Sequence, residues 1–273
     1  MDYQEKSALP LIESVYKQLT HVERTIADFF LQNRTEQDFS ARTIANRLKV
    51  SEASLSRFAK KCGFRGYREF IYIYESGFHT TSEEVKVTES SRTVLSSYQE
   101  LLNKTWSLID EEQIARIVHL ITAANRVFTA GKGSSGFAAE EMAFRIMRIG
   151  VDATAITDNS IMEMQSIMAR PGNLCIALSL SGESHHVVNF LKGSHARGAS
   201  TILITASYSE ALHAFCDEIV LVPSLQYMNN GSLISPQFPF LVIIDVLYAG
   251  FLKLDRSAKE ELLSRTVDAL QNV

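Results

Sequence analysis

A chain of 273 residues with 46% hydrophobic and 21% charged residues carries enough apolar material for about two globular domains, which excludes a wholly disordered protein. Its net charge of −4 gives the molecule no overall attraction for nucleic acid, so any surface for a polyanion must be local. Three scattered cysteines, Cys62, Cys175 and Cys216, lack CxxC spacing and speak against a disulfide framework or a zinc site.

The opening "MDYQEKSALP" has early acids and no apolar h-region, so no secretory signal is expected. Residues 8–78 read as helices without a strand-like run. Thr20 and Glu23 are spaced as a capping box ahead of "HVERTIADFFLQN". Ser40 is a good N-cap for "ARTIANRL", Ser51 starts a helix over "EASLSRFAKK", and Gly63 stops it. "GYREFIYIYESGF" makes one more short helix, and its aromatics Tyr67, Phe70, Tyr72 and Tyr74, with Phe64, are expected to pack in the core.

Residues 41–61 fit a helix-turn-helix. Ile44, Ala45 and Leu48 share one face of the first helix, with Ala45 small enough for a close crossing. Val50 plugs the turn, and Leu55 and Phe58 pin the second helix. The opposite face carries Ser51, Glu52, Ser56, Arg57 and Lys60, which could reach base edges in a major groove, with Lys61 and Arg65 beside them. Between 41 and 68 eight cations face one acid, Glu52; this local charge of +7 leaves −11 for the remainder. That is the footprint of phosphate binding. A small bundle with a solvated basic face is the competing reading. Lys49 counts against the turn: glycine is usual there because the backbone tends to be left-handed, a conformation a lysine takes only at some cost.

The polar stretch "HTTSEEVKVTESS", 79–91, reads as a linker, dividing the chain into domains 1–78 and 92–273. Beyond it, helices near 92–108 and 111–124 precede short apolar strands, "RVFTA", "DATAI", "LCIALSL", "TILITA" and "EIVLVP". Helical patterns alternate with them, including "SEALHAFC" between the last two, and helices near 236–254 and 257–271 close the chain. The expected fold is an all-α bundle followed by an α/β domain, a parallel sheet flanked by helices on both faces. Trp106 is expected to pack the helices before the sheet. The longest apolar stretch, "FPFLVIIDVLYAGFL", contains Asp245 and is short for a membrane span. A cytoplasmic protein with no membrane partner is the expectation.

Two strand ends are rich in glycine and serine, where open α/β sheets bind ligands: "GKGSSG", 131–136, and "SLSGES", 179–184. Backbone N–H groups at a helix start, joined by serine hydroxyls, hold a phosphate without a metal. The first loop also spells GxGxxG through Gly131, Gly133 and Gly136, with Asp158 at the end of the next strand, so a dinucleotide site competes, as does simple helix capping. Two hydroxyl-rich loops on neighbouring strand ends favour one small phosphorylated ligand gripped from two sides. Neither loop matches GxSxG, and GxxxxGK[ST] is absent. His185 and His186 are adjacent on a helix, poor spacing for a metal, and no metal or cofactor is expected. Glu183 could serve as a general base or bond a sugar hydroxyl.

Taken together, "SEASLSRFAKKCGFRGYREF", "GKGSSGFAAEEMAFRIMRIG" and "SLSGES" resemble the RpiR family of bacterial transcription regulators over nearly the whole chain. The resemblance implies an N-terminal helix-turn-helix domain and a C-terminal sugar isomerase (SIS) domain. It implies operator binding modulated by a phosphorylated sugar, control of sugar-catabolism genes, and a homodimer or homotetramer on double-stranded DNA. It places Ser135, Ser179, Ser181 and Ser184 on the sugar phosphate, with the Leu180 N–H contributing. Ser134 is a helper, and Glu183 and Lys132 are weaker candidates. Lys49 departs from the family's turn glycine, and Pro236 stands where a basic or polar residue is common. A SIS-type sugar-phosphate isomerase with a helical appendage is the alternative; no unambiguous base presents itself.

Overall fold

The computed structural model describes residues 8–79 and 88–271. The chain divides into two compact units, 1–88 and 89–273. Most of the 79–91 stretch lies outside the described residues; His79 ends one helix and 89–91 form the first turn of the next.

The first unit contains α1 (Ala8–Val15), α2 (His21–Gln32), α3 (Ala41–Leu48), α4 (Glu52–Lys61) and α5 (Tyr67–His79). Local side-chain chemistry sets the helix starts. Thr20 and Glu23 close the expected capping box on α2, and Ser40 and Ser51 accept N–H groups at the starts of α3 and α4. Phe30 is fully buried at the centre of a ring cluster, with Phe70 and Tyr74 edge-on at 4.8 and 4.9 Å and Phe58 stacked at 6.3 Å. The buried hydroxyls of Tyr67 and Tyr74 donate to the carbonyls of Phe39 and Phe30, so neither ring strands a polar group. Tyr72 departs from the expected packing: it is 72% exposed, because the core lies under the helix face shared by Tyr67, Phe70 and Tyr74.

The second unit opens with α6 (Glu89–Trp106) and α7 (Glu111–Ala123). Then β1 (Arg126–Gly131), α8 (Ser134–Met147), β2 (Ala153–Ile156), α9 (Asn159–Met168), β3 (Asn173–Leu178), α10 (His185–His195), β4 (Ser200–Thr205) and β5 (Glu218–Leu221) follow. It closes with α11 (Phe238–Leu254) and α12 (Arg256–Gln271). Every strand pairing is parallel, in the order β2-β1-β3-β4-β5. Alternate strand residues face opposite ways. Val127, Ile176 and Ile202 pack with α7, α8 and α11, while Phe128, Cys175 and Leu203 pack with α9 and α10. The parallel sheet covered on both faces is therefore as expected.

Two elements differ from expectation, and one charged residue of an apolar helix finds a partner. "SEALHAFC" forms only a 3-10 turn, Glu210–Ala214, because Ser209 supplies no side-chain cap and five residues cannot sustain an α-helix. Trp106 ends α6 and is 79% exposed instead of packed. Asp245, alone in an apolar helix, is paired with Arg145 of α8, whose guanidinium also lies 4.2 Å from the Tyr248 ring centre. No helix among the described residues is long and apolar enough to cross a membrane.

Candidate functional site

Each unit carries one candidate site. In the first, α3 ends on Lys49, which takes φ 53° and ψ 42°. The Val50 N–H reaches the Ala45 carbonyl at 3.0 Å and the Lys49 N–H reaches back to Asn46, a Schellman closure with Val50 half-buried behind it. Lys49 therefore takes the left-handed conformation despite its side chain, and the residue that counted against the turn does not prevent it. Ser51 then caps α4, accepting the Ser54 N–H at 3.1 Å. Leu55 and Phe58 are fully buried, while Glu52, Arg57 and Lys60 are exposed and Ser56 is half-buried.

The seven candidate DNA-binding residues are not equivalent. Lys61 is held by Glu23 at 2.7 Å and Arg65 by Glu69 at 3.0 Å. Ser51 is occupied as a cap. Arg57 donates to the Ser54 hydroxyl at 3.0 Å and forms no ion pair among the described residues, nor does Lys60. These two are the α4 cations left for a partner.

In the second unit, β1 and β3 are neighbours, yet their chains leave in opposite directions, from β1 toward β2 and from β3 toward β4. This is the switch point at which doubly wound sheets open a crevice. Gly131 pairs with Leu178, the last residue of each strand, so both serine loops leave the sheet at one level. A Cβ on Gly131 would lie 2.5 Å from the Ser135 carbonyl oxygen, so glycine lets the start of α8 close on the strand end. Gly133 takes φ 54° and ψ −127° at the N-cap of α8.

The second loop is pinned from below. The Ser179 N–H continues the ladder to Ile204 at 3.0 Å, and the Leu180 carbonyl accepts the Ala206 N–H at 3.1 Å. A turn closes from the Gly182 N–H to the Ser179 carbonyl at 3.1 Å, with Gly182 at φ 68°. The Ser181 hydroxyl accepts the Glu183 N–H at 3.2 Å. Ser179 is 6% exposed, Ser134, Ser135 and Ser184 are half-buried, and Glu183 is exposed.

The helix starts differ in one respect that bears on anions. Helices α2, α3, α4, α7 and α9 have side-chain caps. The two entered from the serine loops, α8 and α10, have none, although Ser184 stands at the N-cap of α10. Helix α11 also lacks one, but Pro239 removes a donor from its first turn. Uncapped first-turn N–H groups at the positive end of a helix favour an anion. Ser184 therefore occupies the N-cap position of α10 without making the capping bond.

Sequence reasoning missed a cluster beside this loop. Glu163 of α9 meets His185 and His186 of α10, with His186 Nδ1 3.2 Å from Glu163 Oε1. Nothing local signals this pairing, because packing of α9 on α10 creates it.

Fold and sites together define a helix-turn-helix transcriptional regulator joined to a SIS domain. Residues 6–75 match the family model "Helix-turn-helix domain, rpiR family", and 120–243 match the model "SIS domain". An HTH-type transcriptional regulator of Haemophilus influenzae is 28% identical over 98% of this chain and 96% of its own. Another from Clostridium perfringens is 27% identical, covering 97% and 99%. The solved Vibrio vulnificus NanR protein complexed with ManNAc-6P superposes with a TM-score of 0.62 at 22% identity, covering 97% of this chain and 98% of that one. The chain thus carries a helix-turn-helix domain of the rpiR type followed by a SIS domain, the arrangement of a transcriptional regulator.

Proposed function

We propose that this regulator senses a phosphorylated sugar held between the 131–136 and 179–184 loops, and that the sugar sets its affinity for double-stranded operator DNA. One observation carries the reading: the two loops at the β1–β3 switch point both enter helices whose starts have no side-chain cap. A phosphate there meets two sets of backbone donors and the hydroxyls of Ser134, Ser135, Ser179, Ser181 and Ser184. On this reading Glu183 bonds the sugar hydroxyls. The NanR structure holds a phosphorylated amino sugar, which supports the ligand class.

On this reading residues 1–78 bind DNA, 92–273 bind the effector and 79–91 join them. The chain works in the cytoplasm, where its DNA lies, and the sugar is an effector that is not turned over. Support for that last point comes from the relatives named as regulators and from the basic α4 face. A homodimer or homotetramer is part of the proposal. Helix-turn-helix units read paired half-sites, and the effector unit exposes Phe137 and Phe144 on α8 and Ile161, Met164 and Met168 on α9.

A thermal-shift screen of the intact protein against phosphorylated hexoses, amino sugars and disaccharides tests the ligand class. A sugar phosphate at a hundredfold excess over its Kd raises the melting midpoint by about 5–10 °C, and the unphosphorylated sugar does not. Protection by a nicotinamide dinucleotide alone would replace this reading with the GxGxxG one. Turnover of any of these sugars would replace it with an isomerase.

A further inference from the structure

Glu163 lies in the second turn of α9, and His185 and His186 open α10 directly after Ser184. One donor atom from each lies within 4.8 Å of the other two. His186 Nδ1 and Glu163 Oε1 are 3.2 Å apart, and the imidazoles meet edge to face with centres 5.4 Å apart. Asn189, one turn along α10, stands 3.4 Å from both Glu163 Oε1 and His185 Nε2.

The anchoring is firm. Met162 and Val187, the chain neighbours of Glu163 and His186, are 0% and 1% exposed in the core between the sheet and these helices. A lone hydrogen bond between His186 and Glu163 would account for that pair alone. The Asn189 amide nitrogen, 3.4 Å from Glu163 Oε1 and from His185 Nε2, ties the remaining side chains into the same cluster.

Two imidazole nitrogens and one carboxylate oxygen form the donor set of zinc sites that keep a fourth position open. With bonds of about 2.0–2.1 Å, tetrahedral donors lie roughly 3.3 Å apart. The His186–Glu163 pair already has this spacing, and His185 reaches it by rotating an exposed side chain. The positive end of α10 opposes a cation; the Glu163 carboxylate offsets it.

We propose that Glu163, His185 and His186 bind a divalent ion of the zinc class, with the Asn189 amide nitrogen orienting the carboxylate and the fourth position left to water. The ion would sit beside the serine loop. The site does not depend on the identity, or the existence, of a sugar ligand.

The test uses untagged, full-length protein stripped with EDTA and titrated with Co²⁺. One equivalent per chain is expected to bind, with the visible absorption of four-coordinate cobalt, and one equivalent of Zn²⁺ should displace it. Glu163→Gln, His185→Ala and His186→Ala should each weaken Co²⁺ binding at least about tenfold, whereas His119→Ala, on the exposed side of α7, should not. Should His186→Ala fail to melt cooperatively, His186→Gln takes its place. Absence of saturable Co²⁺ binding in the wild type, or unchanged binding in the Glu163→Gln/His186→Ala double variant, overturns the proposal. Failure of the sugar-phosphate screen leaves it standing, because the readout is the metal alone.

Discussion

Lys61 Nζ lies 2.7 Å from Glu23 Oε2, the oxygen that also accepts the Thr20 N–H at 2.8 Å. One carboxylate thus closes the capping box of α2 and holds the last turn of α4. Burial pushes the Glu23 carboxyl up, but the Lys61 ammonium and the bonds from Thr20 outweigh it, leaving it below the ordinary carboxylate range. A depressed folded-state value stabilises the protein above the unfolded value, about 4.3, and that stability is lost as pH falls further. Lys61→Ala should cost about 0.2–1 kcal/mol at pH 7, the scale of a surface pair. Hydrogen exchange of α2 and α4 amides should quicken in the variant at pH 7, and the difference should shrink as pH falls below the ordinary carboxylate range.

The division among the basic residues predicts a division in DNA binding. Arg57→Ala or Lys60→Ala should weaken operator binding and reduce the salt slope by about 1 for each phosphate no longer neutralised. Arg65→Ala should change the slope less, because Glu69 already holds that guanidinium. Fluorescence anisotropy across a salt series reads both quantities.

Lys49 holds a left-handed conformation that costs an ordinary residue roughly 1–2 kcal/mol and glycine almost nothing. Glycine loses more chain entropy on folding, so the net gain from Lys49→Gly should be about 1 kcal/mol or less. Protection of α3 and α4 amides should rise. A fall would mean that interactions of the lysine side chain stabilise the turn by more than its strain.

At the crevice, two substitutions separate shape from chemistry. Gly131→Ala places a Cβ 2.5 Å from a backbone oxygen, so β1 and α8 must part. It should lower the melting midpoint and abolish sugar-phosphate protection together. Ser181→Ala removes one hydroxyl from an exposed turn, where among the described residues it accepts only the Glu183 N–H. It should leave the midpoint within about 2 °C of wild type while weakening sugar-phosphate binding. Calorimetry on the two variants distinguishes these outcomes.

What could be read from the sequence was whatever short-range chemistry decides. Thr20, Ser40 and Ser51 bond N–H groups three residues away, so helix starts were legible. Strand ends were legible because apolar runs stop at glycine and serine. Exposure was less so: Tyr72 and Trp106 are aromatic, yet a residue's burial depends on which helix face meets a partner. Ser184 stands at the N-cap of α10 but does not cap, since hydroxyl direction follows from the loop's turn and not from residue type. The Glu163–His186 and Arg145–Asp245 pairs join residues 23 and 100 positions apart. Only the packing of helices on a common sheet brings them together.

The central claim is that a ligand at the β1–β3 crevice controls the basic face of α4. Its most direct test is the affinity of the intact protein for a labelled operator fragment, measured with and without the sugar phosphate that gives the largest thermal shift. The expected result is a change of at least about fivefold, the low end of allosteric coupling, that disappears in Ser181→Ala while operator affinity without ligand stays as in wild type. Equal operator affinity with and without a sugar phosphate that demonstrably binds would contradict it.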